Sequence, residues 1–180
     1  MVRRRKCRNI VDVGTGPYPT LFYMFTTLRI PFIGTDVKPR NVLRVGPCRL
    51  IRDDIVETIL PANSADAVLC ISTLEHITHY DKAVSSMKKI LIKEKPLLIT
   101  VPFNIHTTDV EIVRQTSVSF THCFGPAHID HWISLVGEHF QSRYFKCWTG
   151  EKWRVGDRLL YPEEVSREDA DMIILELVKR

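Results

Sequence analysis

At 180 residues, with 44% hydrophobic and 26% charged residues, the chain has an ordinary globular composition and enough length for a sizeable core. Its +4 formal charge is concentrated: Arg3, Arg4, Arg5, Lys6 and Arg8 supply five of 25 cations, and the other 20 face 21 acids, which excludes a uniformly basic body. Five scattered cysteines without a C-x-x-C pair exclude a disulfide framework, and no apolar run approaches the roughly 18 residues of a membrane helix.

The basic start is followed by Asp12 and glycines rather than by a signal-type apolar segment, so the chain is read as cytoplasmic, with no membrane partner. Residues 1–8 are read as a basic arm and 9–180 as a single domain. The arm is either a solvated terminus or a nucleic-acid contact.

Ile10, Val11 and Val13 suit a buried first strand, and Gly14 and Gly16 after it suit a tight turn with close backbone approach. Pro19 can open a helix whose apolar stripe is Leu21, Met24, Phe25 and Leu28. Residues 31–36 read as a second strand ending in Asp36, which falls 20 residues after Gly16, about one β-turn-α-β unit. A third strand is expected over 49–52, followed by Asp53 and Asp54, and a fourth over 67–71.

Ala83, Val84, Met87, Ile90 and Leu91 form a helical stripe, with Lys82, Lys88 and Lys89 facing away. A fifth strand is expected over 97–103, and 104–124 lacks periodicity and reads as a long loop. A helix then opens at Gly125-Pro126, buries Ile129, Trp132, Ile133 and Val136, and stops at Gly137. Residues 140–148 and 172–178 are candidate final strands, with no assignment for the charged stretch between them. Strands alternating with helices imply a parallel sheet covered on both faces, with ligands bound across the strands' carboxyl ends. Asp12, Asp36 and the Asp53-Asp54 pair all fall at such ends.

The acid before G-x-G (Asp12, Gly14, Gly16), the acid ending the second strand (Asp36), Asp53-Asp54-Ile55, and Ile71-Ser72-Thr73-Leu74-Glu75-His76 together resemble the class I S-adenosylmethionine-dependent methyltransferases, type 11-like group. The resemblance implies a Rossmann-like, doubly wound α/β fold. It would have a mostly parallel seven-stranded sheet, helices on both faces and an antiparallel last strand. It also implies S-adenosylmethionine as cofactor. Gly14, Thr15 and Gly16 would contact its methionine part, Asp12 its ammonium and Asp36 both ribose hydroxyls. Asp54 (or Asp53) and Ile55 would serve the adenine side, Val37 would also contact the cofactor, and Ile71 and Ser72 would line the methionine pocket.

Tyr18 replaces the family's third glycine and would narrow the pocket mouth or cover the ligand. A dinucleotide fingerprint would need glycine where Pro19 stands. The implied activity is transfer of the sulfonium methyl group to an N or O acceptor of unidentified class. The alternative is a catalytically silent binding or scaffold protein of the same fold. His76, His106 and His122 are the substrate-side candidates, with no catalytic residue assigned.

No metal is expected. Ser72 replaces the first glutamate of the E-x-x-E-H sites that some relatives use, and His122, Cys123, His128 and His131 lack zinc-type spacing. His128 and His131 are read as an exposed helical face. A nucleic-acid partner would enter through Arg3, Arg4, Arg5, Lys6 and Arg8, and a second copy of the chain could cover the open site.

Overall fold

The computed structural model describes residues 8–39, 41–108, 111–116, 119–146, 163–164 and 166–180. Most of the arm therefore lies outside the described residues, as do Cys7, Cys147 and most of the unassigned charged stretch. In chain order the elements are β1 (Ile10–Val13), α1 (Thr20–Thr27), β2 (Phe32–Asp36), β3 (Leu43–Val45), β4 (Cys48–Arg52), β5 (Ala67–Ile71), α2 (Tyr80–Ile90) and β6 (Pro96–Pro102). They continue with β7 (Glu111–Thr116), β8 (Ser119–Cys123), α3 (Pro126–Val136), β9 (Gly137–Lys146), β10 (Glu163–Glu164) and β11 (Met172–Lys179).

Nine strands form one sheet in the order β10-β9-β11-β6-β5-β1-β2-β4-β3, and β7 and β8 make a separate antiparallel pair. β4, β2, β1, β5 and β6 run parallel, while β11 is antiparallel to both β6 and β9. The seven expected strands are present, and two short edge strands, β3 and β10, extend the sheet. The chain winds from β1 outward through β2 and β4, then returns to β5 and β6 on β1's other side. The β1/β5 boundary is thus the topological switch point.

The sheet's pleat sends alternate residues to two cores. Ile10, Phe32, Leu50 and Leu69 meet Phe22 and Phe25 of α1 on one face. Val11, Val13, Val68 and Ile99 meet α2 (Ala83, Val84, Met87, Ile90) and α3 (Ile129, Trp132, Val136) on the other. The second helix's stripe is buried as its spacing demands, and Gly137 ends the third helix at φ 133°. Lys88 departs from its expected outward place: half-buried, its Nζ donates to the Leu135 carbonyl at 2.6 Å.

The first helix differs from its expected stripe. Met24 and Leu28 are 44% and 42% exposed, while Phe22 and Phe25 are buried. The reason is aromatic. Phe25 stacks on Phe32 at 5.0 Å between ring centroids, and this contact rotates the eight-residue helix to a two-phenylalanine face.

Residues 104–124 also depart from the expected loop, because most of them form the β7–β8 pair. His122 belongs to that pair and is buried, not solvated. Its ring meets Tyr80 at 5.6 Å and Phe124 at 6.0 Å. His128 is half-buried on the same cluster, 5.6 Å from Phe124, and its Nδ1 accepts from the Gly125 N–H; only His131 stays exposed as expected. The Trp132 indole N–H donates to Asp81 Oδ1 at 2.9 Å and ties α3 to α2. Among the described residues no helix is long and apolar enough to cross a membrane.

Candidate functional site

β1 ends against Gly14, whose φ of +74° lies in the left-handed region that glycine enters without strain. A Cβ there would lie 2.1 Å from Thr73 Cγ2, so the strand tips of β1 and β5 approach each other only because Gly14 has none. Thr73 holds the contact through Oγ1, whose single proton lies within reach of the carbonyls of Ile71 (3.0 Å) and Gly14 (3.3 Å) and is shared between them. Gly16, at φ +65°, has nothing within 4 Å of where a Cβ would stand, which leaves its backbone open.

Asp36, at the tip of β2, is fixed by two backbone donors. The Gly16 N–H donates to Oδ2 at 2.9 Å and the Lys38 N–H to Oδ1 at 2.8 Å. Each carboxylate oxygen accepts more than one hydrogen bond, so both keep capacity for a ligand. The two acids after β4 separate by role. Asp53 is buried and accepts from Thr58 Oγ1 at 2.5 Å and the Ile59 N–H at 3.0 Å. Asp54 is exposed and caps the short turn Ile55–Glu57, its Oδ1 accepting from the Val56 N–H. Of the pair, Asp54 is the one free to turn toward a ligand.

These groups border one cleft of about 400 Å³ at the switch point, within the range of small-molecule sites. Gly14, Gly16, Asp36, Val37, Asp53, Asp54, Ile55 and Ser72 line it, as does His76. Asp12, Thr15 and Ile71 do not. Asp12 is buried beneath the turn, Thr15 faces a neighbouring hollow, and Ile71 is 40% exposed at the tip of β5. Thr73 and Ile77 line the cleft without having been singled out. The signal for Thr73 was available, since a β-branched residue after a strand tip has to pack against the opposite turn.

Tyr18 corrects its expected place. It is 78% exposed and lines the neighbouring hollow, so its ring neither narrows nor covers the cleft. His106 is exposed and outside the cleft lining, which leaves His76 as the only one of the three candidate histidines on its border.

Burial sets the electrostatics below the cleft. Asp12 is 6% exposed, and desolvation pushes its carboxyl up to about 7. Glu75 is 4% exposed; burial pushes it to about 7 as well, and its Oε2 has no partner among the described residues. Burial lowers the basicity of His122, partly offset by a hydrogen bond to the Glu75 backbone. Among the described residues no three His, Cys, Asp or Glu side chains gather as a metal-binding group.

A doubly wound sheet, a glycine turn at its switch point and an acid ending the next strand together frame a cleft at the strands' carboxyl ends, where folds of this kind bind ligands. Residues 11–99 match the family profile described as a methyltransferase domain, and the fold is that of the class I S-adenosylmethionine-dependent methyltransferases. The YcgJ protein of Bacillus subtilis is similar at 14% identity, covering 100% of this chain and 96% of that one, with a TM-score of 0.70. The 1,6-didemethyltoxoflavin-N1-methyltransferase of Burkholderia thailandensis, solved with S-adenosylhomocysteine, shares 12% identity over 94% of this chain and 70% of its own, TM-score 0.65. The [4+2]-cyclase SpnF shares 16% identity, covering 95% and 75%, TM-score 0.68. No curated protein matches the sequence.

Proposed function

We propose that the chain, with residues 9–180 acting as one unit, is a methyltransferase that binds S-adenosylmethionine in the 400 Å³ cleft. One observation carries the reading: both Asp36 oxygens are held by backbone donors beside an open glycine turn. That is what a cis-diol needs, a carboxylate positioned in advance whose remaining lone pairs face the cleft. The glycine turn, open at Gly16, receives the methionine part. Asp12 below it faces the ammonium, directly or through water. Val37, Ile55 and Ile77 offer apolar walls for adenine, and Asp54 accepts from its amino group. Ser72 and Ile71 present backbone at the methionine end.

When bound, the cofactor supplies an activated sulfonium methyl group. The chain's part is to hold the N or O acceptor in line with it. His76 borders the cleft and is the residue placed to take a proton when the acceptor must lose one. The free thiols of Cys48 and Cys70 suit a reducing cytoplasm.

Thermal unfolding with S-adenosylhomocysteine tests the reading. At a hundredfold excess over Kd the native state gains about 2.7 kcal/mol, a melting shift of roughly 5–10 °C for a chain of this size. Asp36→Ala should abolish the shift while the protein stays folded. A folded wild type that shows no shift at millimolar ligand refutes the proposal. A shift without methyl transfer to any acceptor in a broad screen assigns the chain to the silent alternative.

A further inference from the structure

We propose that the β3–β4 edge of the sheet, with the hollow beside it, is a binding surface for single-stranded nucleic acid. Between residues 29 and 52 the sequence carries Arg29, Lys38, Arg40, Arg44, Arg49 and Arg52 against one acid, Asp36. All of these cations except Arg40, which lies outside the described residues, are exposed, and none of their side chains joins an ion pair among the described residues. The near-neutral body of the protein therefore hides a strongly positive edge, built from a stretch of sequence separate from the N-terminal arm.

Arg44 and Arg49 are register partners across the antiparallel β3–β4 hairpin. Their side chains leave the same face, with Cβ atoms about 5 Å apart. Like charges directly opposite each other weaken a ladder. A phosphate between them reverses the sign of that interaction, and paired guanidinium groups are well suited to hold its oxygens. Edge cations also discourage unwanted strand pairing. That role requires neither two facing arginines nor what lies on the other face.

On that other face, Leu43 and Leu50 are the next register pair and form one wall of a hollow of about 350 Å³. Tyr18 and Tyr23, 78% and 60% exposed, flank it, with Pro17 and Pro39 beside them. Two solvated aromatic rings over an apolar wall make a stacking platform, which every nucleobase can use. Thr15, Thr20 and Asn41 supply polar atoms at the rim. An acidic protein would satisfy the arginines but leave the tyrosines idle. A strand of nucleic acid uses both.

The hollow and the cofactor cleft share Gly16 and Pro17 as their common wall. A base held by the tyrosines is therefore an anchor and not the methyl acceptor. Arg52, in register with Asp36, and Lys38, whose N–H donates to Asp36, are exposed at the tips of β4 and β2 and extend the run of cations available to successive phosphates.

The test uses the full chain and a fluorescein-labelled, unstructured twelve-nucleotide RNA, read by anisotropy from 50 to 200 mM salt. Arg44→Gln/Arg49→Gln should weaken binding at least tenfold at 100 mM salt and flatten the log K against log salt slope by about 1.4, from two phosphates at about 0.7 each. Tyr18→Ala/Tyr23→Ala should weaken binding about tenfold with the slope unchanged, the signature of lost stacking. An unchanged slope in the arginine variant overturns the proposal. So does loss of all binding on deleting residues 1–8, and so does binding to phosphatidylserine vesicles with none to RNA. All four side chains are solvent-facing, and melting curves confirm that the variants fold. The readout needs no cofactor, so failure of the S-adenosylmethionine reading leaves this result interpretable, and the reverse holds too.

Discussion

Replacing Gly14 by alanine is expected to cost roughly 2–4 kcal/mol and to abolish ligand binding in the cleft. Two effects add. The left-handed φ of +74° costs a residue with a Cβ about 1 kcal/mol. The new Cβ would also stand 2.1 Å from Thr73 Cγ2, 2.4 Å from Oγ1 and 2.8 Å from Cβ, so no rotamer of Thr73 relieves the clash. Thr73 is further pinned by its bonds to the Gly14 and Ile71 carbonyls, and the tips of β1 and β5 must part. Overpacking of this kind costs about 1–3 kcal/mol. Adding Thr73→Gly should restore the steric share and leave the backbone share, so the double variant melts between Gly14→Ala and wild type. A Gly14→Ala protein as stable as wild type would show that the two strand tips do not meet as described.

The parallel strands were legible, though not their order in the sheet, because each central strand is buried on both faces and reads as a short apolar run. Residues 67–71 illustrate this, since strand and run coincide. β3 was not legible. Its three residues are all exposed, so no burial pattern marks them. The signal lay instead in Gly46-Pro47, where Gly46 at φ +55° makes the two-residue hairpin turn. In α1 the periodicity permitted two stripes, and the choice between them fell to Phe32, an aromatic residue on another element. Such a tertiary contact is invisible to a helical wheel.

The site was legible where a residue's role depends on the backbone at a strand tip. Gly14, Gly16, Asp36 and Asp54 needed only correct strand ends to be brought together. Residues whose role depends on side-chain direction were not. Tyr18 follows Gly16 closely in sequence, yet the positive-φ turn and Pro17 send it to the far side of the turn. His122 looked like a loop residue because strands β7 and β8 lack a long apolar run, and its burial comes from Tyr80 and Phe124 on other elements.

Stability is expected to fall, and cofactor affinity to rise, as pH increases from about 4 to about 7. Asp12 and Glu75 ionise at ordinary values of 3.8 and 4.5 in the unfolded chain but at about 7 in the fold, because burial disfavours the charge. Below the unfolded values both states hold the protons and the stability is fully present. Between those values and about 7 the folded chain binds protons that the unfolded chain has lost, so unfolding becomes easier by about 1.4 kcal/mol per pH unit for each group. Above about 7 the loss is complete, roughly 3–4 kcal/mol per group.

Asp66 acts in the opposite sense at lower pH. Burial raises it, but the Lys95 ammonium at 3.1 Å and the backbone N–H groups of Arg8 and Asn9 outweigh that and hold it below its ordinary 3.8. Its contribution is fully present above its unfolded value and is lost as pH falls through that depressed value. A cationic ammonium over Asp12 favours the ionised carboxylate. Binding below pH 7 should therefore expel a proton, and affinity should rise by up to tenfold per pH unit toward 7. Asp12→Asn separates the two effects. The empty variant should melt higher than wild type at pH 8 but bind S-adenosylhomocysteine more weakly, with no proton release in calorimetry across buffers of different ionisation heat. Unchanged affinity at pH 8 would remove Asp12 from the ammonium's contacts and leave its buried carboxyl as a purely structural cost.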